Sequence, residues 1–298
     1  MALRRRKYPS KLLLFGEYGV LLGLDALAIP FREFTGKLEK TGDEVDEHLL
    51  AFNKHLHKAS KSLPYNINLE RFEKDIERGL RFNSEIPLNY GLGSSGALVA
   101  AIFENYFEPK NKKQKTDLRA LKTTLALLES HFHGISSGID PLVSLVNMPV
   151  LVRKSGGVSL MDKSVLPSKR KLRFFLIDSN TPGKTGDMVT QFMDKMNEAE
   201  FSENFRTAYQ LYSNGAIRNL INRDYVKFEE NFRSLSEFQL HEMNELIPTH
   251  VQELFQKGLN SKLFSLKVCG SGGGGFFMGI THDKTALQEE LNVPLIFF

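Results

Sequence analysis

Seven residues constrain this chain more than any others: Gly91-Leu92-Gly93-Ser94-Ser95-Gly96-Ala97. Glycines let the backbone turn tightly and approach a ligand closely, at a cost of roughly 0.5–1 kcal/mol each in chain entropy. Leu98, Ala101 and Ile102 follow at helical spacing, and Ser94 and Ser95 stand where an N-cap belongs. A glycine-rich loop opening onto a helix N-terminus presents unpaired N–H groups and a partial positive charge. That is a cradle for phosphate. A turn needing only positive φ is the plainer use of glycine, but three glycines and two serines so close together exceed what a turn needs.

Two other phosphate motifs fit less well. The same residues spell G-x-G-x-x-G, which in a dinucleotide fold lies early in a βαβ unit with an acidic residue about 20 positions on. Here the pattern begins at residue 91, and only Asp117 approaches the acidic slot, beyond a lysine-rich stretch at 110–115. Gly183-Lys184-Thr185 resembles the tail of a Walker A loop, yet its first glycine would have to be Asp178, whose carboxylate repels phosphate. A second glycine run, Gly270-Ser271-Gly272-Gly273-Gly274-Gly275, lies between the apolar pieces Leu266-Lys267-Val268 and Phe276-Phe277-Met278. With strands on both sides it reads as a backbone wall against a ligand rather than a flexible linker.

Around these loops, apolar runs at Leu12–Phe15, Ala26–Pro30, Pro149–Val152, Leu172–Ile177, Phe264–Val268, Phe276–Ile280 and Leu295–Phe298 read as strands. Asn66–Leu69 and Arg81–Ile86 read as exposed strands, and residues 43–62 as a polar helix. Leu118, Leu121, Leu125, Leu128 and Phe132 form an apolar stripe on a helix over 118–132, and further helical patterns run from Ile177 to about residue 258. Strands and helices without strict alternation predict an α+β fold. A chain of 298 residues suits two domains, divided here as 1–165 and 166–298. Cys269 is the only cysteine, so no internal disulfide forms. The apolar stretch from Leu12 to Leu22 is broken by Gly16, Glu17 and Gly19 and is too short to span a bilayer. The basic runs Arg4-Arg5-Arg6-Lys7 and 110–115 carry no interleaved aromatics and read as solvated, not as a nucleic-acid groove. The expected protein is soluble and cytoplasmic, a monomer or homodimer with a small-molecule substrate and neither nucleic acid nor membrane as partner.

Four polar residues stand near these elements. Lys11 adjoins the strand Leu12–Phe15, and Glu17 follows Gly16. Glu129 lies at the edge of the helical stripe, and Asp140 reads as a turn residue before Pro141. Phosphoryl transfer from ATP needs a phosphate cradle, a magnesium ion, a cation for the developing charge and a carboxylate for the attacking hydroxyl. The glycine loop, Ser95 with Glu129, Lys11 and Asp140 could supply these in turn; a pair of hard oxygens suits magnesium.

The whole set resembles the GHMP kinases, in three motifs that span nearly the entire chain. They are Pro9-Ser10-Lys11 through Gly16-Glu17-Tyr18-Gly19-Val20, Pro87 through Ala97, and Lys267 through Gly275. The resemblance implies a left-handed βαβ unit in the N-terminal domain, a ferredoxin-like C-terminal domain and a site between them, with ATP and Mg2+ as cofactors. It implies ATP phosphates on Gly91, Leu92, Gly93, Ser94, Ser95, Gly96 and Ala97, and magnesium on Ser95 and Glu129. Asp140 and Lys11 would be catalytic, and Glu17, Tyr18, Thr185, Gly270, Ser271 and Gly272 would face the substrate. Glu129, His133-Gly134 and Ser136-Ser137-Gly138-Ile139-Asp140 are similar to the segment of the mevalonate kinases, which implies mevalonate as acceptor. Tyr18 departs from the histidine usual there and is shared with phosphomevalonate kinases; Ser10 and Ser271 replace a usual glycine and alanine. A phosphomevalonate or sugar kinase is therefore the alternative, and a non-catalytic relative a more distant one.

Overall fold

The computed structural model describes residues 3–42, 44–111, 116–167, 172–183 and 185–298. Most of the lysine-rich stretch at 110–115, residues 168–171 just past the expected division at 165, and Lys184 lie outside the described residues.

The first half is built on β1 (Tyr8–Phe15), whose eight residues are all buried, and β2 (Ala26–Lys40). There follow α1 (Glu47–Ala59), β3 (Tyr65–Ile67), α2 (Leu69–Glu77), β4 (Leu80–Ser84), α3 (Ser94–Tyr106), β5 (Phe107–Pro109), α4 (Leu118–His133), α5 (Ile139–Val146), β6 (Val150–Val152) and β7 (Val158–Leu160). The sheet runs β1-β2-β6-β7, with β4 pairing along the far half of β2. Its long central strand extends well past the expected Ala26–Pro30. Tyr65–Ile67 pairs with Phe107–Pro109, but the strand expected to reach Leu69 stops at Ile67, because Asn68 caps α2 by accepting from the Arg71 N–H. α3 is buried on nearly every side, as a helix in the middle of a core must be, and its alanines let it lie close on β1 and β2.

The second half adds β8 (Arg173–Asp178), α6 (Thr185–Lys195), α7 (Ala199–Asn204), α8 (Gln210–Ile221), α9 (Tyr225–Glu242), α10 (Thr249–Ser261), β9 (Phe264–Val268), β10 (Phe276–Thr281), α11 (Lys284–Leu291) and β11 (Leu295–Phe297). These strands form an antiparallel sheet in the order β11-β8-β10-β9. The second glycine run is the turn between β9 and β10, and Phe276 leaves it opposite Asp178. Both faces of β8 are covered: Phe174 and Leu176 join the main core, while Phe175 and Ile177 join a smaller one with Val251 and Phe255. That is why the segment is apolar without alternation. The main core continues from β1 through α3 and α5 to α8, α9 and β10, so the two halves share one interior. Among the described residues no helix is long and apolar enough to cross a membrane.

Candidate active site

The glycine loop leads into α3 as expected, but the cap differs. Gly93 is the N-cap residue, in the left-handed conformation with φ 72°, and no side chain caps the helix. The Ser95 hydroxyl instead donates to Glu129 Oε1 at 3.1 Å, and the Ser136 hydroxyl donates to Oε2 at 2.5 Å. Glu129 projects from the buried side of α4. Burial, and then the neighbouring Asp140, push its carboxyl up to about 7, against the pull of the two serines and Lys11.

Asp140 sits in the first turn of α5 rather than in an isolated turn. Gly138 opens that helix, and Pro141 is tolerated because a first-turn residue has no intrahelical N–H bond to lose. Lys11 comes from β1, whose Lys11 N–H donates to the Leu92 carbonyl at 2.9 Å, and so ties the strand to the glycine loop. Lys11 Nζ lies 3.1 Å from Asp140 Oδ1. Burial lowers the ammonium's pKa, but Asp140 and the other acidic neighbours outweigh it and hold it above its ordinary value. The loop must be glycine here for want of room: a Cβ on Gly96 would stand 2.7 Å from the Asp140 Cβ, and one on Gly93 2.9 Å from its Oδ2.

Two cavities meet at this pair. The larger, about 690 Å³, is lined by Gly91 to Ser95, Glu129 and an apolar rim that includes Leu88, Phe132 and Ile135. The smaller, about 140 Å³, is lined by Leu13, Glu17, Tyr18, Ile139 and Val189. Lys11, Asp140, Gly270 and Ser271 border both. The Tyr18 hydroxyl donates to the Ser271 carbonyl, and its ring stacks on Phe192 at 4.3 Å, so the first and third motifs are joined across the smaller cavity.

Other expected residues stand farther off. Gly96 and Ala97 pack behind the loop rather than lining the larger cavity, and Gly272 is packed against the Leu246 carbonyl and borders neither cavity. Thr185 opens α6, but its side chain, like that of His133, lies outside the described residues. Sequence reasoning missed Ser136 as a partner of Glu129, and Lys267, which is sealed against Glu17. It also missed Leu88 and Ile135, 72% and 84% exposed on the rim. An isolated exposed apolar residue carries no periodic signal, so nothing in the sequence marks these two.

Ser95 and Glu129 offer two hard oxygens, and among the described residues no group of three or more His, Cys, Asp or Glu could hold a metal. Such a set fits an ion that takes its remaining ligands from water and phosphate, as magnesium does.

Two family models match the chain: the GHMP kinases N terminal domain over residues 53–147 and the GHMP kinases C terminal over residues 216–293, together more than half of it. A curated relative, the mevalonate kinase of Pyrococcus horikoshii, is 28% identical over 162 residues, covering 46% of this chain and 48% of that protein. The chain thus spans about half the length of the curated relatives it matches. Among solved structures, L. major mevalonate kinase in complex with R-mevalonate superposes with a TM-score of 0.64 at 15% identity, over 96% of this chain and 89% of that one. Streptococcus pneumoniae phosphomevalonate kinase in complex with phosphomevalonate and AMPPNP gives 0.66 at 16% identity, over 96% and 94%. At these identities the two structures speak for the fold.

Proposed function

We propose that this chain, which belongs to the GHMP kinase family, moves the γ-phosphoryl group of ATP onto the hydroxyl of a small molecule, mevalonate. The observation that carries this reading is the Lys11–Asp140 pair, 3.1 Å apart where a large cavity lined by the first glycine loop meets a small one that this loop does not line. In this reading the larger cavity takes the nucleotide and the smaller the acceptor.

The backbone N–H groups at the start of α3 would hold the phosphates. Ser95 and Glu129 would hold magnesium, which when bound draws charge from the phosphate oxygens. Asp140 accepts the hydrogen bond of the acceptor hydroxyl, aims its oxygen at the γ-phosphorus and takes the proton as the new O–P bond forms and the bond to the ADP oxygen breaks. Lys11 pairs with Asp140 and faces the charge gathering on the transferred group. Leu13, Ile139 and Val189 keep water from the acceptor side.

The choice of mevalonate rests on the curated relatives and on the segment from Glu129 to Pro141. The smaller cavity adds support: Lys11 is the single cation among its described lining residues, and it is already paired, which disfavours a phosphorylated acceptor. We also keep the division at residues 165 and 166 as a proposal. A coupled ADP-release assay with ATP, magnesium and mevalonate, phosphomevalonate, galactose or homoserine tests the reading. Turnover on mevalonate alone is expected; turnover on another acceptor instead would overturn the choice, and none at all would overturn the kinase.

A further inference from the structure

Ser136 has no part in the scheme above, yet it lies between the two carboxylates that the scheme uses. Its hydroxyl accepts the Gly138 N–H at 3.0 Å and donates to Glu129 Oε2 at 2.5 Å. A serine oxygen has a single proton to give, and the bond it accepts on its other side fixes where that proton points. Glu129 Oε1 takes the Ser95 hydroxyl at 3.1 Å. The carboxylate is held at both oxygens and cannot turn without breaking both bonds.

The loop that carries Ser136 is closely tied down. Gly134 ends α4 and Gly138 opens α5, each with φ 73°. A Cβ on Gly138 would stand 2.2 Å from the Lys122 carbonyl oxygen and 2.9 Å from the Ala126 Cβ. The loop therefore folds back onto α4 within two turns of Glu129. Asp140 follows two residues after Gly138, in the first turn of α5. Ser136 lines the larger cavity together with Ser95 and Glu129, so all three stand where a ligand can meet them. A serine that only closed the turn would spend its hydroxyl on the backbone, whereas this one gives its proton to a carboxylate on another element.

We propose that Ser136 is a positioning residue: it anchors Glu129 Oε2 to the start of α5 and so keeps Oε1, with Ser95, as a fixed pair of ligands for magnesium. This rests on the proposed kinase reading. It goes beyond that reading in making the metal ligand depend on the same loop that sets Asp140 in place.

Four variants test this: Ser136→Ala, Ser136→Thr, Glu129→Gln, and the double Ser136→Ala with Glu129→Gln. Calorimetry measures ADP binding with and without magnesium, and ADP release is followed with magnesium varied. Magnesium should tighten ADP binding to the wild type. In Ser136→Ala that tightening should shrink about fivefold, and half-maximal activity should need about fivefold more magnesium. ADP affinity without magnesium should stay within about twofold, which a merely collapsed loop would not allow. Ser136→Thr keeps the hydroxyl and should restore the magnesium response. In the double variant the alanine should add less than about twofold to the effect of Glu129→Gln, because it acts through that carboxylate. An unchanged magnesium response in Ser136→Ala, an equal loss of ADP affinity with and without magnesium, or full additivity in the double variant would overturn the inference alone. A wild type whose ADP binding ignores magnesium would remove the metal site and this inference with it; one that also turns over no acceptor would take down the kinase reading as well.

Discussion

Two lysine–carboxylate pairs each take one member from the first motif, and they are built to different standards of enclosure. Lys267 and Glu17 have no exposed surface, whereas Lys11 and Asp140 keep 7% and 27% of theirs. The sealed pair joins β9 to the end of β1; the open one joins β1 to the first turn of α5 at the meeting of two cavities. The difference teaches how one kind of interaction serves two ends. A carboxylate that must meet a hydroxyl has to be reachable, and its lysine partner must leave one face of it open. A carboxylate can also be closed in completely, provided its partner is closed in with it.

Breaking the open pair should have the larger effect. Lys11→Met should lower kcat by about a hundredfold to a thousandfold, as expected for a lost cation at a developing charge, while binding of a non-hydrolysable ATP analogue changes little. Calorimetry beside the kinetic assay separates the two, and a kcat within threefold of wild type would remove Lys11 from the chemistry. Next in size, Glu129→Gln replaces one of the two hard oxygens beside Ser95. The magnesium concentration for half-maximal activity should rise about tenfold; an unchanged titration would deny Glu129 the metal.

The smallest effect concerns the thiol between the pairs. Burial lifts Cys269 to about 11, with Lys267 and Lys11 pulling the other way. From pH 9 to 11 the unfolded chain has released this proton and the folded one has not, so stability must fall as the pH rises. The loss should reach about 1–2 kcal/mol by pH 10.5 relative to pH 8.5. Denaturant unfolding of the wild type and Cys269→Ala at both values checks it; equal losses in the two would show that the thiol is not held protonated.

Much of the site was legible because its chemistry demands particular residues at short range. The first glycine loop, Ser95, Glu129 and Asp140 lie within fifty residues of chain, and each carries a local signal in spacing or composition. The fold was legible wherever one face of an element is buried, as along α4, and wherever both are, as in β8. What escaped depends on distance. Lys267 is 250 residues from Glu17, so nothing local distinguishes it from an exposed strand lysine. Asp140 read as a turn residue because Pro141 suggests one, while a proline in the first turn of a helix looks the same in sequence. Ser94 and Ser95 read as caps on composition, but the close approach of Asp140 leaves Gly93 in that place.

The central claim is that Asp140 meets the acceptor hydroxyl, and Asp140→Asn tests it most directly, since the amide keeps the shape and loses the charge. Single-turnover phosphoryl transfer to mevalonate and binding of an ATP analogue would be measured on the same preparation. The account predicts that transfer falls by about a hundredfold to ten-thousandfold while analogue affinity stays within threefold. Transfer at the wild-type rate would contradict it and place the chemistry elsewhere.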